Sequence, residues 1–133
     1  MVPSHKTEKM KNWTVPQEQT SRRLKAIPKY KNWYDEGYVT RPYDQGVCGA
    51  CWAFSTAAVM ESFAKLEGKN KNLDEFSVQQ LIDCDDDNYA CTGGWMYQGF
   101  AYVSQNGIMK RHDYPEYHQS KDTSCNYHSY DEE

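Results

Sequence analysis

The sequence predicts a mainly α-helical, loop-rich lobe held together by disulfides. Three observations predict it. Three stretches carry apolar residues at helical spacing, little of the chain alternates as a strand would, and five cysteines fall within 133 residues. That length allows one domain at most. Mean hydropathy is low, −0.96, yet 14% of the residues are aromatic, so eleven tyrosines and four tryptophans must supply much of the buried surface.

Taken in order, residues 1–26 read as an irregular basic arm, with two prolines, many Lys, Gln, Ser and Thr, and no clean period. It contains the sequon Asn12-Trp13-Thr14, meaningful only in an exported chain. Residues 27–46 are extended and turn-rich, punctuated by Ile27-Pro28, Gly37, Arg41-Pro42 and Gln45-Gly46. From Ala50 to about Leu66, Trp52, Ala53, Phe54, Ala57, Met60, Phe63, Ala64 and Leu66 make an apolar face wider than a surface stripe, which predicts a central, largely buried helix ending at Gly68. A shorter helix is expected from Ser77, where Ser77 and Gln80 form a capping box and Val78, Leu81 and Ile82 face inward. A third runs from about Trp95 to Asn106, with Met96, Phe100 and Val103 on one face and Gly107 as its C-terminal cap. Residues 27–125 form the predicted lobe, and 126–133 an acidic tail.

Charge narrows the function classes. Residues 1–26 carry six Lys/Arg against two Glu, and the rest of the chain nine against seventeen Asp/Glu. A mixed arm on an acidic body argues against a nucleic-acid partner. No apolar stretch is long enough to span a membrane, and the first residues lack the apolar core of a secretory signal. An odd cysteine count suggests two bridges and one free thiol. Bridges favour an oxidising compartment, against the reading of the N-terminus, so the location is left unassigned.

The chemistry concentrates in Gln45-Gly46-Val47-Cys48-Gly49-Ala50-Cys51-Trp52-Ala53-Phe54. Cys51 falls in the first turn of the buried helix, where unpaired amides and the helix dipole favour an anion. A thiolate is the nucleophile of a thiol peptidase. Gln45, across a glycine-containing loop, can aim a side-chain amide at the same point, where a donor stabilises the oxyanion of acyl transfer. The same cysteines admit other readings. Cys48 and Cys51 could form a redox pair, but the βαβ pattern that fold needs is absent. A zinc site on Cys48, Cys51, Cys84 and Cys91 conflicts with the helix starting at once after Cys51. Asp83, Asp85 and Asp87 alternate like a calcium loop whose twelfth position is Gly94 instead of Glu, so a solvated acidic turn is expected there. No metal or cofactor is implied.

The segment resembles the active-site signature C-G-[SA]-C-[WY] of the papain and cathepsin family of cysteine peptidases. Ile27-Pro28, Asn32-Trp33-Tyr34 and Gly37-Tyr38-Val39-Thr40 upstream, and Leu81-Ile82-Asp83-Cys84, Cys91-Thr92-Gly93-Gly94, Gly107-Ile108, Tyr114-Pro115 and Cys125 downstream, are similar to further blocks of that family in family order. The resemblance implies the helical left lobe of the α+β papain-like fold. It implies Cys51 as nucleophile and Gln45, with the Cys51 backbone amide, as oxyanion donor. On the substrate side it implies Gly93 and Gly94, which receive an extended peptide strand, together with Trp52, packed behind the nucleophile. It pairs Cys48 with Cys91 and Cys84 with Cys125, leaving Cys51 free.

The family's Asp-Trp-Arg is Asn32-Trp33-Tyr34 here, and its Tyr-Pro-Tyr is Tyr114-Pro115-Glu116-Tyr117. The resemblance also implies a catalytic His roughly 130–150 residues after the cysteine, with an Asn to orient it. That position lies past Glu133, and His5, His112, His118 and His128 match no such block. The expectation is therefore the N-terminal half of a thiol peptidase, inactive alone, that meets a peptide substrate only when a His-bearing lobe is supplied by a protein partner covering the open face. The alternative is a catalytically inactive lobe serving as an accessory subunit of a larger assembly.

Overall fold

In a computed structural model the described residues are 28–69, 71–122 and 124–127. The chain divides into two compact units, Met1–Lys31 and Asn32–Glu133. Of the first, residues 28–31 are described; they lie outside helix and strand, with a bend at Lys29. The basic arm 1–26 with its sequon, and most of the acidic tail, lie outside the described residues.

The second unit holds α1 (Cys51–Leu66), α2 (Val78–Cys84) and α3 (Met96–Asn106), with short 3-10 turns at Ala90–Thr92 and Arg111–Asp113. Among the described residues there is no strand, only an isolated antiparallel bridge between Phe76 and Lys110. The unit is mainly helical, as the sequence predicts. The core gathers Cys48, Ala50, Trp52, Ala53, Leu81, Ile82, Ala90 and Val103, with Phe54, Met60, Val78, Tyr102 and Tyr117 packed against it. Where α1 crosses α3, Gly99 leaves room: a Cβ there would lie 2.6 Å from Thr56 Oγ1.

Two findings differ from the sequence reading. Burial in α1 is uneven. Trp52, Ala53, Thr56, Ala57 and Glu61 are covered, whereas Val59, Phe63 and Leu66, which continue the Trp52–Thr56 stripe toward the C-terminal end, are about half exposed. Along that stripe the N-terminal half of α1 is covered and the C-terminal half is not. The acidic run at the end of α2 is not a solvated turn at Asp83, which is the helix's penultimate residue, or at Asp85, which follows it; they are 4% and 2% exposed. Asp83 accepts from Gln79 Nε2 (2.8 Å), the Asp122 amide (2.8 Å) and the Tyr114 hydroxyl (3.1 Å). Asp85 accepts from Asn88 Nδ2 (2.7 Å) and the Asp87 amide (3.1 Å). Satisfied this way, a buried carboxylate becomes a tie between segments.

Helix ends follow the local chemistry. Ser77 caps α2 by accepting from the Gln80 amide (3.1 Å). The reciprocal arm of a capping box is missing, because the Gln80 side chain is used elsewhere: its Oε1 accepts from the Met109 amide (2.7 Å) and its Nε2 donates to Tyr102 Oη (3.2 Å) and the Gly107 carbonyl (3.3 Å). Gly107 closes α3 with φ 83°, a conformation that favours glycine.

Candidate active site

Ala50 precedes α1, and the helix opens on Cys51. The first amides of a helix have no intrahelical acceptor, so they point past Cys51 toward whatever binds there. Cys51 is exposed and is the free cysteine of the chain. The other four are bridged, Cys48 to Cys91 (S–S 2.04 Å) and Cys84 to Cys125 (2.11 Å). These are the pairs the family resemblance implies. Trp52 next to the thiol is 0% exposed and donates its indole N–H to the Ala90 carbonyl (3.0 Å). It stands behind the site, out of reach of a ligand arriving from solvent.

The loop before the helix holds Gln45. One N–H of its amide donates to the Cys48 carbonyl (2.9 Å). A primary amide has a second N–H, which this bond leaves available while fixing the plane of the group. Asp44 accepts from the Gly46 amide (2.8 Å), tightening the turn. Gly46 has φ 61°.

The Cys48–Cys91 bridge and a bond from the Gly49 amide to the Cys91 carbonyl (2.8 Å) join this loop to the one carrying Gly93 and Gly94. Both glycines are half-buried. Gly93 has φ 122° and open space where a Cβ would be, and its carbonyl accepts from the Tyr89 amide (3.1 Å). Asn88 holds the loop from beneath: Oδ1 accepts from the Trp95 amide (2.7 Å) and Nδ2 bonds Asp85. Beyond it Trp95, Met96 and Tyr97 are exposed, although the helical pattern grouped Met96 on one face with Val103, which is buried. Sequence reasoning missed Asn88 and Asp85 as supports of this loop; the only signal was their type, since Asn and Asp pin turns through local hydrogen bonds.

The two described histidines, His112 and His118, bond to other groups. His112 pairs with Asp113 (3.2 Å). His118 lies between the Glu116 carbonyl (2.9 Å) and Asp122 (3.0 Å), and these partners, the carbonyl first, raise its pKa above the ordinary histidine value. His5 and His128 lie outside the described residues. No group of three or more potential metal ligands occurs among the described residues.

A groove of about 530 Å³ lies against α1 and the segments 39–44 and 75–79, without including Cys51 or Gln45. Val39, Pro42, Phe54, Ala58, Phe76 and Val78 give it an apolar lining, and Glu61, Glu75 and Arg111 a charged edge. Glu61 is buried, and accepts from the Thr40 hydroxyl (2.6 Å) and the Phe76 amide (2.8 Å). Burial above all lifts its carboxyl above the usual carboxylate range.

Fold and comparisons together put this chain among the cysteine peptidases. A model described as papain family cysteine protease matches residues 27–133. The chain belongs to the papain family. It is 43% identical over 89 residues to papain of Carica papaya, covering 67% of this chain and 25% of papain's. To cathepsin J of Rattus norvegicus it is 41% identical over 107 residues, covering 78% of this chain and 31% of that one. Among solved structures it is similar to a recombinant stem bromelain precursor, with 38% identity, TM-score 0.67, and coverage of 76% of this chain and 33% of that one. It is likewise similar to the proform of the ragweed pollen allergen Amb a 11 cysteine protease, with 33% identity, TM-score 0.69, and coverage of 83% and 33%. The chain thus spans about a quarter to a third of these relatives, and corresponds to the N-terminal portion of a papain-family peptidase.

Proposed function

We propose that this chain supplies the nucleophile half of a papain-like peptidase, hydrolysing peptide bonds through a thioester on Cys51. The observation that carries the reading is that Cys51 is free and exposed at the opening of α1 while the other four cysteines are bridged. A base takes the Cys51 proton, and the sulfur attacks the peptide carbonyl. The Cys51 backbone amide and the second N–H of Gln45 stabilise the oxyanion. The protonated base gives its proton to the leaving amine, and water then releases the acyl group. Gly93 and Gly94 offer backbone groups to an extended peptide, with Trp52 packed behind the thiol.

The base is expected from outside the described residues, since the bonds of His112 and His118 run to Asp113, the Glu116 carbonyl and Asp122, and none runs to Cys51. A His-bearing lobe seated on the apolar groove of Val39, Pro42, Phe54, Phe76 and Val78 would bring it within reach. The 133 residues by themselves are therefore inactive in this reading, because removing one member of a unit of catalytic groups removes nearly the whole effect.

The test is a fluorogenic peptide assay on the chain alone and on the assembly that contains a His-bearing lobe, each with Cys51 and with Cys51→Ala. Activity confined to the assembly and abolished by Cys51→Ala supports the proposal. An assembly that retains full activity with Cys51→Ala, or shows none with Cys51 in place, makes the chain an accessory lobe.

A further inference from the structure

The segment Pro115–Asp122 contacts the Gln45 loop at two points. The Tyr117 hydroxyl donates to the Gln45 carbonyl. The Gln119 side-chain oxygen accepts from the Val47 amide (2.9 Å). The fit is close: a Cβ on Gly46 would sit 2.0 Å from that same oxygen. Gln119 itself has φ 60°, a conformation unusual for a residue with a side chain, so the contact is made at the cost of backbone strain.

The segment is anchored on its far side. Gln79 Nε2 donates to the Ser120 carbonyl (2.7 Å), and the His118 amide donates to Gln79 Oε1 (3.3 Å). The Asp122 amide donates to Asp83 (2.8 Å), and Lys121 pairs with Asp86 (3.0 Å). Cys125 is bridged to Cys84 at the end of α2. The Tyr117 ring packs edge-on against Phe54 of α1 at 5.1 Å. Tyr117 therefore links the first turns of α1, a segment fastened to α2, and the main chain of the residue whose amide faces the reaction. Val47, whose amide takes the second grip, is 95% exposed and has little side-chain packing of its own to hold the loop.

We propose that Tyr117 and Gln119 are positioning residues that clamp the Gln45 loop, so that the second N–H of the Gln45 amide stays aimed beside Cys51. This rests on the proposed role of Gln45 as oxyanion donor. The conservative probe is Tyr117→Phe, which keeps the ring against Phe54 and removes only the hydroxyl. Gln119→Ala removes the second grip.

Two measurements test it. In the assembled peptidase, Tyr117→Phe should lower kcat about 3- to 10-fold with KM within twofold. That is less than the roughly 100-fold loss expected of Gln45→Ala, because a donor is displaced and not deleted. In a Gln45→Ala background Tyr117→Phe should then have no further effect. Full additivity of the two substitutions overturns the proposal. In the ¹⁵N-labelled 133-residue chain, which needs no activity, the side-chain amide pair of Gln45 should be dispersed in the parent. It should move toward free-glutamine shifts in Tyr117→Phe and in Gln119→Ala, with the Trp52 indole resonance unchanged. Unmoved Gln45 resonances overturn the clamp even if the assembly is inactive, whereas moved resonances in an inactive assembly keep the clamp and remove the peptidase reading.

Discussion

A Cβ added at Gly94 would lie 2.3 Å from Asn88 Oδ1 and 2.8 Å from Trp52 Cγ. Neither neighbour can yield, since Asn88 is held by Asp85 and the Trp95 amide, and Trp52 is fully buried. Gly94→Ala should therefore cost about 1–3 kcal/mol, read as a lower urea midpoint. Gly93, with open space, carries no such clash and only the strain of its φ. Glu61 makes a pH prediction. Its carboxyl is raised chiefly by burial, with the bonds from Thr40 and Phe76 offsetting part of the rise. A native state that keeps this proton to higher pH than the unfolded chain loses stability as pH climbs from about 4.5 through the raised value. Glu61→Gln can keep an acceptor for Phe76 and a partner for Thr40 without the charge. Urea melts across that window should show a flatter pH dependence for the variant than for the parent, and an unchanged slope would count against the assignment. At this scale the free, exposed Cys51, the proposed nucleophile, was legible because a short motif singles it out. Asn88 and Asp85 were not, because a support declares itself only through contacts that a one-dimensional string does not show.

Among the elements, α2 was readable in its position and apolar face, and its buried polar face went unread. Ser77 marked its start, and Leu81 and Ile82 its inward face, but Gln79 and Gln80 are as buried as they are. Polar residues at helical spacing look like a solvent face. Here each amide is satisfied by a loop that arrives later in the chain: the Met109 amide and the Gly107 carbonyl for Gln80, and the Ser120 carbonyl and His118 amide for Gln79. Gln80→Ala leaves the Met109 N–H without its acceptor and opens a cavity, which should cost about 2–4 kcal/mol in equilibrium unfolding. A loss under about 0.5 kcal/mol would mean that water replaces the side chain. In α1 the misreading runs the other way, because Val59, Phe63 and Leu66 continue the apolar pattern beyond the part that has neighbours. Periodicity tells which residues could be buried; packing decides which ones are.

For the whole molecule, the helical class and the cysteine framework follow from helical spacing, an odd cysteine count and the family blocks, and the comparisons place the chain in the papain family. The groove was foreseen only as an open face, because its walls come from segments far apart in sequence. An uncovered apolar groove should bind a hydrophobic dye such as ANS and promote self-association at rising concentration, and a seated second lobe should suppress both. Dye fluorescence equal with and without that lobe would argue that the groove is not where it sits. The Cys48–Cys91 bridge has one more consequence. On the proposed reading it rivets the place where a peptide is laid to the place where it is cut, so the lobe works as a ruler whose zero mark is covalent. Side chains along the edge can change which peptides are accepted, while the covalent tie bounds how far the resting strand can drift from the attacked bond when the weaker contacts around it loosen.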